Sequence, residues 1–382
     1  MTKTFFIIAG EASGDVLGAK LMANLKKLSS EEAEFYGVGG EKMEEQGLKS
    51  QFPMSELSLL GFMEILPHIP NLLNRIDQVA KEIISIKPDV VITIDAPAFN
   101  FRVARKLKDS GIKIVHYVAP SVWAYKPGRA KKIAKLYNHL LCLLPFEPPY
   151  FEKVGLSASF VGHPILEESF EGEGDLFRQK YSLNEEQKLI CLMPGSRNSE
   201  LERLLPVYKE TISLLNKTFS NMTVVVLATE RLKQKIYQET QDWPVKVIVC
   251  TERDEKNDAL AASDVALAKS GTGTFEPAIA EVPMVIAYKV NPFSAWMLRR
   301  MIRIKYVNLL NIIMEREIIP ELLQKNCTPE KLSDQISDLL LNEEKREEQL
   351  EGVKEALVRL GYGGKQSPSE KAARMILDLG RA

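Results

Sequence analysis

The sequence lacks any apolar run long enough to cross a membrane, and it holds few cysteines and histidines. No uninterrupted run approaches the roughly 18 apolar residues that a spanning helix needs, so we expect no transmembrane segment. We also expect neither a disulfide framework nor a metal site, which makes the reducing cytosol the simplest compartment. The reason is that no C-x-x-C pair is present, the four histidines do not cluster, and the four cysteines are far apart: Cys142, Cys191, Cys250 and Cys327.

Neither sign of charge is in excess. The 50 Lys and Arg residues against 51 Asp and Glu give a net charge of −1, which argues against a nucleic-acid partner and makes any basic patch a local one. A signal peptide is not expected, because the first apolar run soon meets Gly10 and Glu11. The hydrophobic content of 45% is that of an ordinary globular protein, and 382 residues indicate about two to three domains.

Short, continuously apolar runs alternate with stretches of helical periodicity. This pattern is typical of parallel strands that helices bury on both faces. The acidic segment EESFEGEGD, residues 167–175, divides the strands into two sets. We therefore predict an α/β chain of two Rossmann-like domains, residues 1–166 and 176–345, that face each other across a cleft. Residues 346–382 are predicted to form C-terminal helices that dock on the first domain or on a partner chain.

The turn AGEASGD, residues 9–15, joins the first predicted strand to a helix. Its glycines do not match the dinucleotide fingerprint G-x-G-x-x-G. It is still a small-residue turn at a helix N-terminus, where ligands gather in α/β folds. The alternative is a tight strand-to-helix turn in which Ser13 caps the helix.

The segment MPGSRNSE, residues 193–200, has the features of a phosphate-binding loop. Gly195 and Ser196 are small enough to let the backbone approach a ligand, and a helix begins near Asn198. Arg197 adds a guanidinium that can fork onto a phosphate. The alternative is a plain turn with a solvated arginine.

The segment KSGTGTFE, residues 269–276, forms a second small-residue turn after a predicted strand. Gly271 and Thr272 could cradle a phosphate, and Glu276 lies where it could accept two hydrogen bonds from a ribose diol. The alternative is a helix capped by Thr272 or Thr274, with the glutamate favoured by the helix dipole.

Asp95 is predicted to end a buried strand in DVVITIDAPAFN. An ionised carboxylate there can accept a proton from a hydroxyl, although a turn-capping aspartate before Pro97 is the alternative that position alone favours. His116 and His163 also end predicted strands, and each taken alone is more often structural than catalytic. A basic run, Lys126 to Lys135, follows the aromatic segment HYVAPSVWAY.

Taken together, AGEASGD, DAPAFN, YVAPSVWAYKPGR, FVGHP, MPGSRNSE, KSGTGTFE and NLLNIIMERE resemble the lipid-A-disaccharide synthase family. The resemblance covers essentially the whole chain and implies a GT-B glycosyltransferase. Its donor would be UDP-2,3-diacylglucosamine and its acceptor 2,3-diacylglucosamine 1-phosphate. The implied enzyme inverts the donor's anomeric centre, needs no metal or cofactor, and works at the inner face of the cytoplasmic membrane of Gram-negative bacteria.

The resemblance also implies roles for single residues. Asp95 matches the family's base, Arg197 its phosphate-binding arginine, and Glu276 its ribose-binding glutamate. Asn311 matches a nucleotide-site asparagine, although Leu310 stands where the family usually has proline, and SGTGT replaces SGTAT. The remaining UDP-side residues are Gly195, Ser196, Gly271 and Thr272, and the acceptor-side residues are Glu11, Ser13 and Ser121. Two rivals stay open: another GT-B-like UDP-sugar enzyme, either a peptidoglycan N-acetylglucosaminyltransferase or an epimerase, and a non-catalytic nucleotide-sugar-binding protein at a membrane surface.

A membrane-facing helix is predicted within residues 282–314, which contain no acid. If the helix begins at Ser294, its apolar side holds Met297, Leu298, Met301 and Ile304, and the opposite side holds Arg299, Arg300 and Arg303. Such a helix suits an anionic membrane surface. A helix packed on its own domain, with solvated arginines, is the alternative that the pattern alone favours, but the acylated substrates that the resemblance implies favour the membrane. Homodimerisation is left open.

Overall fold

The computed structural model describes residues 2–29, 32–57, 69–125, 128–167, 169–291 and 304–381. It divides into two compact units. The first comprises Met1–Glu167 with Gly363–Ala382, and the second comprises Glu168–Tyr362. Each unit is an α/β body with a parallel sheet, as the alternating pattern of strands and helices predicts.

The first unit contains a seven-stranded sheet in the order β3-β2-β1-β4-β5-β6-β7. The order reverses between β1 and β4, which is the switch point where ligands bind in open α/β sheets. Ala9 pairs with Ile94, and Ile94 with Tyr117, so three neighbouring strands end level with one another. The strands are β1 (Lys3–Ala9), β2 (Ala33–Val38), β3 (Lys49–Ser50), β4 (Val90–Ile94), β5 (Lys113–Tyr117), β6 (His139–Cys142) and β7 (Ser157–Phe160).

The second unit contains a six-stranded sheet in the order β10-β9-β8-β11-β12-β13. Its order reverses between β8 and β11, and the segments PGSR and SGTGT follow these two strands. The switch point of this sheet therefore carries both predicted phosphate loops. The strands are β8 (Lys188–Met193), β9 (Met222–Leu227), β10 (Lys246–Cys250), β11 (Val265–Lys269), β12 (Met284–Tyr288) and β13 (Glu321–Leu323).

Helices cover both faces of each sheet, which explains the continuously apolar strands. In β1, Phe6 and Ile8 belong to one core cluster while Phe5 and Ile7 belong to another, because successive side chains point to opposite faces. The helices are α1 (Ala12–Leu28), α2 (Glu41–Glu45), α3 (Ile69–Ile86), α4 (Pro97–Lys106), α5 (Arg129–Ile133), α6 (Pro148–Glu152), α7 (Gly174–Tyr181), α8 (Asn198–Thr218), α9 (Glu230–Thr240), α10 (Arg253–Ala261), α11 (Phe275–Ile279), α12 (Leu309–Met314), α13 (Pro329–Leu341), α14 (Glu343–Leu360) and α15 (Pro368–Arg381).

The structure divides the C-terminal segment that the sequence analysis treats as one piece. Helix α14 belongs to the second unit, whereas α15 belongs to the first and packs on α1. A turn with Gly361 at φ +105° and Gly363 at φ +73° separates the two helices. The start of α15 is held by Glu167, whose carboxylate accepts from the Ser369 amide. The last helix, α15, is therefore the part of this segment that belongs to the first unit.

Candidate functional site

A strained turn presents Asp95 at the end of β4. Asp95 and Ala96 have φ values of +44° and +41°, a left-handed conformation that is uncommon outside glycine. The Asp95 amide donates to the Tyr117 carbonyl over 3.0 Å. The buried Asn100 amide donates to the carbonyl oxygens of Ile94, over 3.1 Å, and Asp95, over 2.8 Å. Backbone strain that surrounding hydrogen bonds hold in place is typical of functional positions.

The Asp95 carboxyl is half-buried, and its environment favours proton uptake. Burial raises the pKa of this carboxyl, and a hydrogen bond from the Ala96 backbone amide opposes the increase only in part. A carboxylate with a raised pKa is a stronger base than one in water. The side chain that the sequence analysis singles out as a proton acceptor therefore has the electrostatics for that role.

The AGEASGD turn lies against the Asp95 turn. A Cβ on Gly10 would lie 2.8 Å from the Ala96 Cβ, so this close approach requires glycine. Glu11 and Ser13 are exposed at the start of α1. Glu11, not Ser13, is the N-cap residue, and among the described residues its side chain forms no capping bond. The alternative in which Ser13 caps the helix is therefore wrong.

Asp15, the last residue of the same motif, has a structural role. It is buried, and its carboxylate accepts from the backbone amides of Gly40, over 2.9 Å, Lys42, over 3.1 Å, and Met43, over 3.1 Å. These contacts fasten α1 to the start of α2. Of the polar residues in the motif, Glu11 and Ser13 are the ones left at the surface.

Ser121 lies in the loop after β5, and a buried carboxyl fastens this loop. Ser121 is exposed, whereas the Trp123 indole donates to Glu147 over 3.1 Å. Glu147 also accepts from the amides of Leu143, over 3.1 Å, and Leu144, over 3.0 Å. Burial raises the pKa of Glu147 to about 7, although these three hydrogen bonds oppose the increase. Glu147 could not be found from the sequence, because a lone glutamate before two prolines carries no pattern.

The two histidines near the ends of β5 and β7 are held neutral by burial. His116 is enclosed, with its Nδ1 atom 2.8 Å from Thr93 Oγ1 and its ring against Tyr137, and burial lowers its pKa to about 3. Burial lowers the pKa of His163 to about 4. The interpretation of His116 as a structural residue agrees with this environment.

In the second unit, the two glycine-containing loops line one cavity of about 210 Å³. It lies at the switch point of the second sheet and collects five of the residues that the sequence analysis assigns to the UDP side. Lys256 and Lys269 supply positive charge to its wall, and Glu200 adds a carboxylate. The five predicted residues on the wall are Gly195, Ser196, Gly271, Thr272 and Glu276.

Glu200 organises the PGSR loop. Its Oε2 atom accepts from the amides of Ser196, over 3.1 Å, and Arg197, over 3.3 Å. Gly195 has a φ of +105°, and a Cβ there would lie 2.2 Å from the same oxygen, so the turn requires glycine. Two successive amides aimed at one oxygen form a small anion-binding concavity. In this structure the protein's own carboxylate fills it.

The Arg197 side chain is 75% exposed and lies 3.4 Å from Glu200. It does not belong to the cavity wall, so its guanidinium extends into solvent rather than packing on the protein. This position does not test the prediction that Arg197 binds phosphate, because a long exposed side chain can turn toward a ligand.

The SGTGT loop differs from the expected helix N-terminus. Gly271, at φ +157°, leads into a 3-10 turn over Thr272–Thr274, followed by the five-residue helix α11. The Thr274 hydroxyl donates back to the Gly271 carbonyl over 2.7 Å. No side-chain cap is formed here among the described residues, so the capping alternative is wrong, and Glu276 lies in the first turn of α11.

The structure does not support a nucleotide contact for Asn311. Its side chain is completely buried and donates to the Ile319 carbonyl, over 2.8 Å, and to Glu321, over 2.7 Å. Its oxygen accepts from the amides of Ile318, over 2.9 Å, and Ile319, over 3.0 Å. An amide side chain has two donors and two acceptor positions, and all four are used. Asn311 therefore holds the segment after α12 in place through hydrogen bonds to Ile318, Ile319 and Glu321.

The predicted membrane-surface arginines Arg299, Arg300 and Arg303 lie outside the described residues. Among the helices that the structure does describe, none is both long and apolar enough to span a bilayer. Within the same residues, no group of three or more His, Cys, Asp and Glu side chains is arranged to hold a metal ion.

Comparison with solved structures defines the class of protein. The UDP-GlcNAc 2-epimerase of Neisseria meningitidis bound to UDP-GlcNAc matches with a TM-score of 0.62 at 11% identity, covering 99% of both chains. A kitacinnamycin glycotransferase matches with a TM-score of 0.63 at 15% identity, covering 99% of this chain and 98% of the other. Similarity at this identity shows the fold alone. Two parallel α/β units, each with its loops at the switch point, confirm the GT-B type.

Sequence similarity then places the chain in one family. The model of the lipid-A-disaccharide synthetase family matches residues 5–376, and the chain belongs to that family. The lipid-A-disaccharide synthase of Rhodospirillum centenum is 46% identical over 377 residues, covering 98% of this chain and 94% of that relative. The predicted family and the predicted enzyme class, a glycosyltransferase, are thereby confirmed.

Proposed function

We propose that this chain joins UDP-2,3-diacylglucosamine to 2,3-diacylglucosamine 1-phosphate. The products are the β-1′,6-linked disaccharide 1-phosphate and UDP. Family membership over residues 5–376 is the observation that carries the proposal. The glycine-lined cavity of the second unit and the Asp95 turn of the first support it, because they supply the two kinds of site that the reaction needs.

On the donor side, the loop around Gly271 and Thr272 binds the diphosphate through backbone amides. The loop around Gly195 and Ser196 lines the same site, with the Ser196 and Arg197 amides held by Glu200. Glycine at these positions lets a ligand approach the backbone closely. Arg197 makes a bidentate contact with a phosphate. Its side chain is exposed and is therefore free to reach the ligand. Glu276 accepts hydrogen bonds from the ribose diol at the cavity wall.

On the acceptor side, Asp95 removes the proton from the 6-hydroxyl as that oxygen attacks the anomeric carbon of the donor. The raised pKa of this carboxyl supports the role, since a stronger base takes the proton more readily. Glu11, Ser13 and Ser121 supply polar contacts to the sugar, and all three are exposed. Negative charge develops on the departing UDP, and Arg197 together with the amides of the loop around Gly271 and Thr272 stabilises it.

The protein acts as a peripheral enzyme at the inner face of the cytoplasmic membrane, because both of its substrates carry acyl chains. The sequence of residues 282–314, which has cations and no acid, supports this placement. Homodimerisation stays a prediction, which light scattering of the full chain tests.

The experiment is to incubate the purified chain with both diacylated substrates and to measure UDP release and disaccharide formation. Formation of both products in equal amounts supports the proposal. In a parallel incubation with UDP-GlcNAc, conversion into its 2-epimer without transfer would favour the epimerase alternative. Binding without any turnover of either donor would favour a nucleotide-sugar-binding protein. The assay is repeated with EDTA, and we expect the same rate because no step is assigned to a metal ion.

A further inference from the structure

Lys269 ends β11 and places its ammonium group between the two glycine-containing loops. It lines the cavity with Gly195 and Gly271, and its Nζ atom would lie 3.5 Å from a Cβ built on Gly271. The side chain is 19% exposed, so the charge is largely withdrawn from bulk water. None of the roles given above uses this lysine. An ammonium held at this depth beside two glycine-containing loops points to an anionic ligand.

Glu200 fixes the ammonium in that position. Its Oε1 atom lies 3.0 Å from Lys269 Nζ, while Oε2 accepts from the amides of Ser196 and Arg197. One carboxylate therefore joins the end of β11 to the loop after β8. Burial acts to raise the pKa of Glu200, but Lys269 together with the Arg197 amide and guanidinium leaves the pKa of this carboxyl below its ordinary value. The centre of the Tyr288 ring lies 5.7 Å from Lys269 Nζ, so this ring also contacts the ammonium group.

The charges on the cavity wall balance before a ligand enters. Lys256 and Lys269 are its cations, and Glu200 and Glu276 are its acids. An ammonium carries three donors, and among the described residues Glu200 is the polar partner of Lys269. The lysine can therefore keep Glu200 and still donate to a phosphate oxygen.

We propose that Lys269 is a phosphate-binding residue of this cavity, that its ligand is the diphosphate of a nucleoside diphosphate, and that Glu200 is the residue that positions it. The inference rests on the proposed function, in which the second unit binds UDP. It adds a cation inside the cavity to Arg197, whose side chain is largely in solvent. Lys269 contributes charge at a fixed point, whereas Arg197 must order itself on the ligand.

The test is calorimetry of UDP, UMP and uridine binding to the full-length wild type and to Lys269→Met. We expect Lys269→Met to weaken UDP binding by at least about tenfold, since a partner of a desolvated charge is removed. Uridine binding is expected to change by less than twofold, because uridine has no phosphate. The matched control is Lys235→Met, which removes an ion pair with Glu202 elsewhere in the second unit, at 2.7 Å. This control should bind UDP as the wild type does.

A second variant, Glu200→Gln, tests the positioning role. Glutamine keeps an oxygen for the loop amides but loses the charge that holds the lysine. We expect a weaker effect on UDP binding than that of Lys269→Met, and no additional loss when the two changes are combined. Tighter UDP binding in Glu200→Gln would contradict the positioning role, because the carboxylate would then be a competitor of the diphosphate.

The failures of the two proposals can be told apart. If wild-type protein binds UDP and Lys269→Met binds it equally well, the inference about Lys269 is wrong and the proposed function stands. If Lys269→Met weakens uridine and UDP binding alike, the lysine only maintains the structure of the cavity and the inference is again wrong. If the wild type does not bind UDP at all, the donor side of the proposed function fails, and the inference fails with it.

Discussion

The side-chain amide of Asn100 donates to the carbonyl oxygen of Asp95 over 2.8 Å, and this bond holds the catalytic candidate in its left-handed turn. The same amide reaches the Ile94 carbonyl, so one side chain spans the end of β4 and the start of α4. Asp95 thus depends for its position on a residue that is itself completely buried.

We expect Asn100→Ala to damage both the turn and turnover. The buried carbonyl oxygen of Ile94 and the partly buried one of Asp95 lose their donor, which should lower the free energy of unfolding by about 1–3 kcal/mol. Turnover should fall while UDP affinity stays within twofold, because the affected turn belongs to the first unit. Urea unfolding, an activity assay and calorimetry measure the three quantities. Unchanged stability and turnover would mean that the strained turn does not need Asn100.

The Glu147–Trp123 contact predicts a pH-dependent stability of the first unit. Burial raises the pKa of Glu147 from its ordinary 4.5 to about 7, so the folded state holds its proton more tightly than the unfolded chain. The stabilising contribution is complete below about pH 4.5 and is lost as the pH rises through about 7. The full effect is on the order of 3 kcal/mol.

Glu147→Gln should remove this dependence, since glutamine does not titrate. The free energy of unfolding of the wild type and of the variant is measured with urea at about pH 5 and about pH 8. Other titrating groups are the same in both proteins, so their effect cancels in the difference between the two. The wild type should lose more stability than the variant over this interval. Parallel behaviour of the two proteins would show that Glu147 has no raised pKa.

Arg197→Ala should weaken UDP binding without affecting folding. The side chain is 75% exposed, so its ion pair with Glu200 contributes little to stability, typically under about 1 kcal/mol. A bound diphosphate covers the guanidinium of Arg197. We therefore expect its removal to weaken the free energy of UDP binding by about 2 kcal/mol, the lower end of the range for desolvated charge pairs. Calorimetry and thermal unfolding check both parts. Unchanged UDP affinity would leave Arg197 as a solvated surface residue.

Replacing Arg299, Arg300 and Arg303 together by serine should reduce binding to anionic vesicles. Each basic residue near such a surface contributes about 1 kcal/mol, and the attraction weakens as salt rises. Co-sedimentation with vesicles at low and high salt measures the effect, and soluble UDP binding should not change. A charge-matched control replaces Lys217, Lys233 and Lys235. If the triple arginine variant binds vesicles as well as the wild type does, the basic run from Lys126 to Lys135 is the next candidate.

The sequence was sufficient to predict the longer apolar strands and the turns that follow β1, β4, β8 and β11, but not the short strands β3 and β13. Strands such as β4 and β8 are apolar at successive positions because both faces are covered, and this pattern is local. The positions of Gly195 and Gly271 follow from the same reasoning, since a strand in a parallel sheet ends in a loop at the edge where ligands gather. The position of Asp95 directly after β4 could be predicted as well, although its left-handed conformation leaves no mark in the sequence. Its role as the base comes from the family resemblance and stays a prediction.

Side-chain partners distant in sequence could not be predicted in this way. Glu147 meets Trp123 across two loops, and Lys269 at the end of β11 meets Glu200 in the first turn of α8, so neither pair has a spacing that a pattern can detect. Asn311 shows the opposite problem. The family motif indicates a nucleotide contact, whereas the folded chain uses all four hydrogen-bonding positions of that amide internally. The division of the C-terminal segment at Gly361 and Gly363 likewise depends on which surface each helix packs against.

Asp95→Asn tests the central claim most directly. The change is nearly isosteric but removes the proton acceptor, so disaccharide formation from the two diacylated substrates should fall about 10²- to 10⁴-fold while UDP affinity and folding are retained. Asp109→Asn, at an exposed position of the same unit, is the matched control and should be as active as the wild type. The measurement is the rate of UDP release with both substrates saturating. A rate for Asp95→Asn within a few-fold of the wild type would contradict the account, because the proton would then have another acceptor.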